Sequence, residues 1–105
     1  MVNFSMLQLG DNKFFGKFPS VISNMARIVL NISRNNFSGE IPGKISNMKS
    51  LQDLDLSWNN FSGSIPSSLF NLVELITFNI SYNPFISGLV PQNGFVTFDK
   101  KFIFG

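Results

Sequence analysis

Residues 51–66 read Leu-Gln-Asp-Leu-Asp-Leu-Ser-Trp-Asn-Asn-Phe-Ser-Gly-Ser-Ile-Pro, and the same arrangement recurs along the 105-residue chain. The recurrence is easiest to follow at one asparagine in each copy, and subtraction of the residue numbers gives separations of 23, 24 and 24 residues. A period of about 20 to 50 residues is typical of repeat architectures. The sequence therefore predicts a solenoid in which each copy forms one coil. The recurring asparagines are Asn12, Asn35, Asn59 and Asn83.

Each residue type in the copy has a physical role in a coil. The alternation Leu54, Asp55, Leu56 has the period of two that is typical of a short strand with one buried face. An asparagine amide can both donate and accept, so it can bond the backbone of neighbouring coils where the strand ends. A phenylalanine two residues later is expected to stack inside the solenoid. A glycine then allows a sharp bend, and a proline leads into a helical or 3₁₀ turn over residues 67–72. The phenylalanines are Phe14, Phe37, Phe61 and Phe85.

This combination resembles the plant-type leucine-rich repeat, and the resemblance covers about residues 4–98 in four copies. It implies an α/β repeat solenoid with short parallel β-strands on the concave face and 3₁₀ or helical turns on the convex face. We expect one array with repeats at about 4–26, 27–50, 51–74 and 75–98, and an array end at 92–105 without a cysteine cap.

Two copies depart from the pattern. The second is one residue shorter, so either Arg27 or Ile28 takes the inward position that Leu51 and Leu75 hold elsewhere. Ile28 is the better candidate because burying an unpaired arginine costs several kcal/mol. The last copy, residues 83–91, carries one extra residue before its glycine.

The last copy and the residues that follow it, 83–99, carry a more specific resemblance. They are similar to the array end of plant leucine-rich repeat receptor-like kinases, closest to the group around the brassinosteroid receptor and to nematode-induced members of the family. The resemblance implies an extracellular array at the plasma membrane, followed in a longer parent chain by a disulfide-bearing cap, a transmembrane helix and a cytoplasmic serine/threonine kinase. No signal peptide, membrane span or kinase motif is recognisable in residues 1–105. We therefore expect a piece of such an ectodomain, marginally stable by itself.

Composition argues against catalysis and cofactor binding. The chain has no cysteine and no histidine, which removes thiol nucleophiles, the commonest general base and the commonest metal ligands. Asp53 and Asp55 are a pair of carboxylates, but both are expected on a flat strand without a cleft. We therefore predict no enzyme activity, no cofactor and no metal. The net charge of +2 comes from scattered residues, so no nucleic-acid binding is expected, nor any membrane contact by these residues themselves.

Function is therefore expected on the concave face, where residues between the buried leucines point outward. Trp58 and Tyr82 occupy one such column, immediately before the recurring asparagines, and tryptophan, tyrosine and arginine are enriched at interface hot spots. Packing of the two rings on neighbouring coils would explain them equally well. The resemblance implies a protein or peptide ligand, and a co-receptor ectodomain that docks near the C-terminal repeats. The predicted partner contacts are Arg34, Asp53, Asp55, Trp58, Thr77 and Tyr82.

Asn-x-Ser sequons also suit an extracellular glycoprotein. The repeat pattern Asn-Asn-Phe-Ser-Gly itself generates two of the five, which weakens the argument. A sugar on Asn31 or Asn79 would obstruct the concave face. The candidate acceptors are Asn3, Asn31, Asn36, Asn60 and Asn79.

Two other interpretations remain open. The chain could derive from a secreted or kinase-lacking leucine-rich repeat protein, such as an inhibitor of cell-wall-degrading enzymes or a receptor-like protein. It could also be a truncated gene product without function. The coding sequence on either side of these residues would distinguish the three.

Overall fold

The computed structural model describes residues 6–18, 22, 26, 29–87 and 101–104. These residues form nine short β-strands and two 3₁₀ helices, Gly43–Asn47 and Ser67–Asn71, and within these ranges no α-helix. None of the described helices has the length and apolar character needed to cross a bilayer. The strands are β1 (Met6–Gln8), β2 (Phe15–Lys17), β3 (Val29–Asn31), β4 (Asn36–Glu40), β5 (Asp53–Asp55), β6 (Asn60–Gly63), β7 (Thr77–Asn79), β8 (Phe85–Ile86) and β9 (Lys101–Ile103).

Five strands from successive coils form the first sheet, which is parallel and ordered β1-β3-β5-β7-β9. Equivalent residues of successive copies pair, so that Leu54 lies opposite both Leu30 and Phe78. These three inward side chains are fully buried, whereas Asp53 and Asp55 on either side of Leu54 are half-buried. The predicted short parallel strands with one buried face are confirmed.

A second parallel sheet, ordered β2-β4-β6-β8, is formed by the short segments that follow the recurring asparagines. This sheet was not predicted from the sequence. Glycines in this sheet have positive φ angles of 94° at Gly16, 81° at Gly39 and 76° at Gly63. A Cβ atom on Gly63 would lie 2.8 Å from Glu40 Oε1. Glycine is therefore favoured at residue 63 by the backbone angle, and a larger residue would also displace the exposed Glu40 side chain of the neighbouring coil.

The 3₁₀ helices follow the prolines, as predicted. Pro42 and Pro66 have φ angles of −72° and −60° with extended ψ, and each immediately precedes a 3₁₀ helix. Ile45 and Leu69 project from these helices into the core and are fully buried. Both side chains belong to the same hydrophobic core as the inward residues of the first sheet.

Asparagine side chains bond successive coils to each other. Asn59 Nδ2 donates to the carbonyl oxygen of Ile32 in the preceding coil (3.0 Å) and to those of Leu56 (3.2 Å) and Ser57 (3.1 Å) in its own coil. Asn59 Oδ1 accepts from the amide N–H of Phe37 in the preceding coil (3.0 Å). The buried amide therefore bonds four backbone groups at the point where the chain leaves the strand, including Phe37 N–H and the Ile32 carbonyl of the preceding coil. The asparagines that make this set of bonds are Asn35, Asn59 and Asn83.

The phenylalanine column is only partly as predicted. Phe37 and Phe61 are buried and stack with ring centroids 6.3 Å apart. The expectation that Phe85 joins them is wrong, because Phe85 is 62% exposed. The extra residue in the last copy shifts the register, so that Ile86 pairs with Gly63 in the way that Phe61 pairs with the glycine of its preceding coil. Ile86 packs against the core in place of Phe85.

The first described coil is more open than the next two. Phe14 stacks on Phe37 with a centroid distance of 6.3 Å but remains exposed. Asn12 is also exposed, and it bonds the carbonyls of Leu9 (2.9 Å) and Gly10 (3.0 Å) in its own coil.

The segment predicted as the array end contributes a further strand. In β9, Phe102 pairs with Phe78, which precedes it by one 24-residue period (102 − 78 = 24). Phe102 and Phe104 pack against the core in the positions that apolar residues hold in the earlier strands. The other positions that the sequence analysis left open in the second copy, Arg27 and Ile28, lie outside the described residues.

Candidate recognition surface

Four exposed side chains lie in register along one edge of the first sheet, and we call them the edge column: Asp11, Arg34, Trp58 and Tyr82. Each immediately precedes an asparagine of the repeat and has a φ angle between 55° and 59°. A non-glycine residue in this left-handed region costs about 1–2 kcal/mol. Hydrogen bonds between coils hold the conformation, because the amide N–H of Trp58 donates to the carbonyl of Ser81 in the next coil (3.0 Å). Asp11 and Arg34 make the equivalent bonds.

The side chains of the edge column form a continuous stack. The rings of Trp58 and Tyr82 lie nearly parallel, with centroids 3.9 Å apart and an interplanar angle of 16°. The Arg34 guanidinium carbon lies 4.9 Å from the centroid of the Trp58 ring, and Arg34 Nε lies 3.7 Å from an Asp11 carboxylate oxygen. The rings do pack on each other, as one interpretation of the sequence expected. They nevertheless present a large aromatic surface, since Trp58 is 44% and Tyr82 60% exposed.

The outward face of the first sheet carries the other predicted contacts. A groove of about 310 Å³ crosses this face and is lined by Asp53, Asp55 and Thr77 among other strand residues. Thr77 Oγ1 donates to Asp53 Oδ1 (2.5 Å), which joins neighbouring strands through a polar pair. Both carboxylates are half-buried. Within the described part of the chain, no three acidic, histidine or cysteine side chains converge as metal ligands.

Asp55 also has a local structural role. Its Oδ1 accepts from the amide N–H (3.0 Å) and the hydroxyl (2.6 Å) of Ser57, which is a turn closed by a side chain. Asn31 closes the same turn with Ser33 in the preceding coil, and Asn79 closes it with Ser81 in the next coil. The side chains of Asn31, Asp55 and Asn79 therefore shape the turn that follows their strands. Asp53 and Thr77 are not part of such a turn.

A second groove, which we call the edge groove, lies between the edge column and the start of the second sheet. Its volume is about 560 Å³, and Trp58, Tyr82, Asn36, Asn60 and Phe104 contribute to its lining. Asn60 Nδ2 donates to Asn36 Oδ1 (2.5 Å) across neighbouring coils. Aromatic rings beside side-chain amides offer both apolar area and hydrogen-bond groups, which is the chemistry that a polypeptide segment needs.

The structure thus divides the predicted contact residues between two adjoining surfaces. Arg34, Trp58 and Tyr82 lie in the edge column, and the remaining three, Asp53, Asp55 and Thr77, lie on the outward face of the first sheet.

Sequence reasoning missed two features of these surfaces. The left-handed backbone at the edge column has no consistent signature, because Asp11 is of a residue type enriched in this region but Arg34, Trp58 and Tyr82 are not. The side-chain turns do have a signal: an Asn or Asp two residues before a serine recurs at residues 31–33, 55–57 and 79–81, with the 24-residue period of the array.

A family model described as Leucine Rich Repeat matches residues 28–48 and 50–72. The chain has the leucine-rich repeat fold. A comparison with curated protein sequences gave no significant match.

Three solved structures show how similar this leucine-rich repeat array is to plant receptors. The ectodomain of the Arabidopsis thaliana receptor kinase GASSHO1/SCHENGEN3, in complex with CASPARIAN STRIP INTEGRITY FACTOR 2, superposes with a TM-score of 0.81 at 38% identity, covering 95% of this chain and 12% of that chain. The ectodomain of the Arabidopsis thaliana receptor kinase SOBIR1 gives a TM-score of 0.80 at 31% identity, covering 93% and 54%. The Arabidopsis thaliana BIR3–SERK2 complex gives 0.77 at 34% identity, covering 90% and 52%.

The array therefore spans between about an eighth and about half of the chains it matches. Among these, GASSHO1/SCHENGEN3 and SOBIR1 are matched in the leucine-rich repeat ectodomains of receptor kinases.

Proposed function

We propose that this array is an extracellular recognition fragment of a plant leucine-rich repeat receptor-like kinase that acts through protein–protein interaction. A protein or peptide ligand and a co-receptor ectodomain are its partners, and the second docks near the C-terminal repeats. Support comes from the similar structures, since GASSHO1/SCHENGEN3 was solved with CASPARIAN STRIP INTEGRITY FACTOR 2 and BIR3 with SERK2.

The observation that carries this proposal is the aromatic stack of the edge column. Trp58 and Tyr82 lie in a backbone conformation that costs free energy, and a large fraction of both rings remains in water. Strained residues of this kind cluster at functional sites. A partner that covers the two rings would recover the apolar burial that the free array forgoes.

The finer assignment rests on the sequence of the last copy. Its similarity to the array end of the brassinosteroid-receptor group and of nematode-induced receptor-like kinases supports a parent chain at the plasma membrane, with this array on the outer side. The location outside the cell also agrees with the extracellular ectodomains among the similar structures.

A binding assay with purified plant leucine-rich repeat ectodomains tests the proposal. The immobilised chain is exposed to a panel that includes the SERK2 ectodomain, and the variants Trp58→Ala and Tyr82→Ala are compared with Phe15→Ala. Phe15 is a matched control because it is a highly exposed aromatic residue that lines neither groove. We expect Trp58→Ala to weaken partner binding about 30-fold, the effect of a hot spot worth about 2 kcal/mol. Equal affinities for all three variants would refute a role for the edge column.

A further inference from the structure

Four of the five Asn-x-Ser sequons lie in the described residues, and the structure separates them by environment. Transfer of a sugar requires access to the asparagine amide and to the hydroxyl of the serine two positions later, because both belong to the acceptor motif. The same two groups must remain compatible with the sugar once the chain has folded. Asn3 lies outside the described residues.

In the sequons at Asn31 and Asn79 the serine hydroxyl and the asparagine Oδ1 are engaged with each other. Ser33 and Ser81 are buried, and each directs its hydroxyl to Oδ1 of the asparagine in its own sequon, at 2.7 Å and 2.6 Å. Asp55 makes the same turn at the equivalent position of the third coil although it is no acceptor. The turn requires a side-chain oxygen at residues 31, 55 and 79, and the two sequons among these positions are by-products of that requirement.

The sequons at Asn36 and Asn60 share the sequence Asn-Phe-Ser-Gly but differ in their surroundings. Asn36 and Ser38 are both exposed, and Asn36 Nδ2 has no acceptor among the described residues. Asn60 is half-buried in the edge groove, and its Nδ2 donates to Asn36 Oδ1. Only at Asn36, among the described sequons, are the amide nitrogen and the serine hydroxyl both open to solvent.

We propose that Asn36 is the main N-glycosylation site of the described residues and that Asn31 and Asn79 stay unmodified. This inference rests on the extracellular location in the proposed function. The co-reactant is a lipid-diphosphate-linked oligosaccharide. Asn36 Nδ2 forms a bond to the anomeric carbon of the sugar, the bond from that carbon to the diphosphate oxygen breaks, the lipid diphosphate leaves, and the amide nitrogen loses one proton.

A sugar on Asn36 would affect the two candidate recognition surfaces differently. Asn36 starts β4 in the second coil, beside Arg34 and Asn35, at the N-terminal side of the edge groove. The outward face of the first sheet carries no sugar in this arrangement. The sugar would start at the second-coil end of the edge groove, which Asn36 lines together with Trp58 and Tyr82, and would leave the outward face around Thr77 open.

Glycopeptide mapping of the full 105-residue chain, secreted from plant cells behind an added signal peptide, tests the proposal. Enzymatic release of the sugars in ¹⁸O water marks every occupied asparagine, and the occupancy of each sequon is read by mass spectrometry. The variants Ser38→Ala and Ser62→Ala are a matched pair, since each removes one sequon and leaves its asparagine in place. Asn31→Asp is the folding control, because an aspartate already closes this turn at residue 55.

We expect Asn36 to be occupied in most molecules and at least about fivefold more often than Asn60, Asn31 or Asn79. Ser38→Ala should remove most of the sugar mass from the secreted chain, Ser62→Ala should remove little, and Asn31→Asp should change neither secretion nor sugar mass. A bare Asn36, or equal occupancy at Asn31 or Asn79, overturns the proposal. Sugar elsewhere with Asn36 bare overturns this inference alone, because partner binding by the edge column is measured separately on the unglycosylated chain.

Discussion

At the scale of single residues, Asn59 shows how one side chain can stabilise several coils. Its amide bonds Phe37 N–H and three carbonyl groups, and it is almost completely buried. In the first described coil, Asn12 bonds two carbonyl groups among the described residues and is exposed. The same residue type at the same repeat position is therefore expected to contribute very differently to the stability of the fold.

The first prediction follows from this contrast. We expect Asn59→Ala to lower the free energy of unfolding by about 2–4 kcal/mol, because it leaves buried backbone groups without partners. Asn12→Ala should cost less than about 1 kcal/mol, since its partners are near water. Urea denaturation followed by circular dichroism measures both. Equal midpoints for the two variants would show that the burial of the Asn59 amide does not determine its contribution to stability.

The edge column gives the second residue-scale prediction. Trp58→Asn keeps a residue that tolerates left-handed backbone and removes the ring, so strain is relieved while the stack on Tyr82 is lost. Because these effects oppose each other, we expect stability to change by less than about 1 kcal/mol. Binding to a partner ectodomain should nevertheless fall at least about tenfold. A large loss of stability with unchanged binding would show that the two rings only pack neighbouring coils together and do not contact a partner.

At the scale of the elements, the second sheet depends on glycine at particular positions. Gly63 in β6 combines a φ of 76° with a neighbouring Glu40 side chain 2.8 Å from where a Cβ would lie. Gly43, which begins a 3₁₀ helix, has no atom within 4 Å of the same position. Although both are glycines next to a proline-containing turn, only Gly63 is required by geometry.

The third prediction compares these glycines. Gly63→Ala should destabilise the array by about 1–3 kcal/mol, through the left-handed backbone and the displacement of Glu40. Gly43→Ala should leave stability unchanged or raise it by up to about 1 kcal/mol, because alanine restricts the unfolded chain. Thermal unfolding of the two variants side by side gives the comparison. Equal destabilisation would contradict the assigned role of the positive φ.

The elements also show which parts of the fold the sequence reveals. Leu54 and Asn59 belong to columns with one residue type and a fixed period, so their burial and bonding could be predicted. The second sheet could not, because segments such as Asn60–Gly63 are short, rich in glycine and without alternating apolar residues. Phe85 was misplaced because a single inserted residue moves every later side chain to the next position in the ladder.

The candidate site was predicted in composition but not in shape. The 24-residue period of the repeat predicted that Arg34, Trp58 and Tyr82 lie in one column, and in the structure they do. Their left-handed backbone and close stacking depend on hydrogen bonds from the next coil, such as that to the Ser81 carbonyl, which a reading of one repeat does not contain.

At the scale of the whole molecule, packing varies from coil to coil. Leu54 and Leu56 in the third coil are fully buried, whereas Leu7 and Leu9 in the first described coil are only half-buried. In a solenoid each coil contacts only its neighbours, so local stability is the sum of a coil's own packing and its two interfaces. The centre of the array should therefore open least often.

The fourth prediction concerns this gradient. Hydrogen exchange of the backbone amides should be slowest at Leu56 and Phe61 and at least about tenfold faster at Leu9, since protection follows local opening. Mass spectrometry of short peptides resolves the coils. Uniform protection along the array would indicate that it opens only by global unfolding.

The asparagine bonds give the array a direction. Asn59 reaches back to Ile32 and Phe37, and Asn83 reaches back to Leu56 and Phe61, so each coil supplies the partners of the coil before it. Loss of a coil at the C-terminal side removes the side-chain amide that bonds a carbonyl and an N–H group in its predecessor. Loss of a coil at the N-terminal side instead removes two partners of the asparagine side chain in its successor, together with backbone acceptors such as the Phe14 carbonyl that Asn36 N–H bonds. Insertion and deletion of whole repeats during evolution should for this reason be tolerated unequally at the two ends.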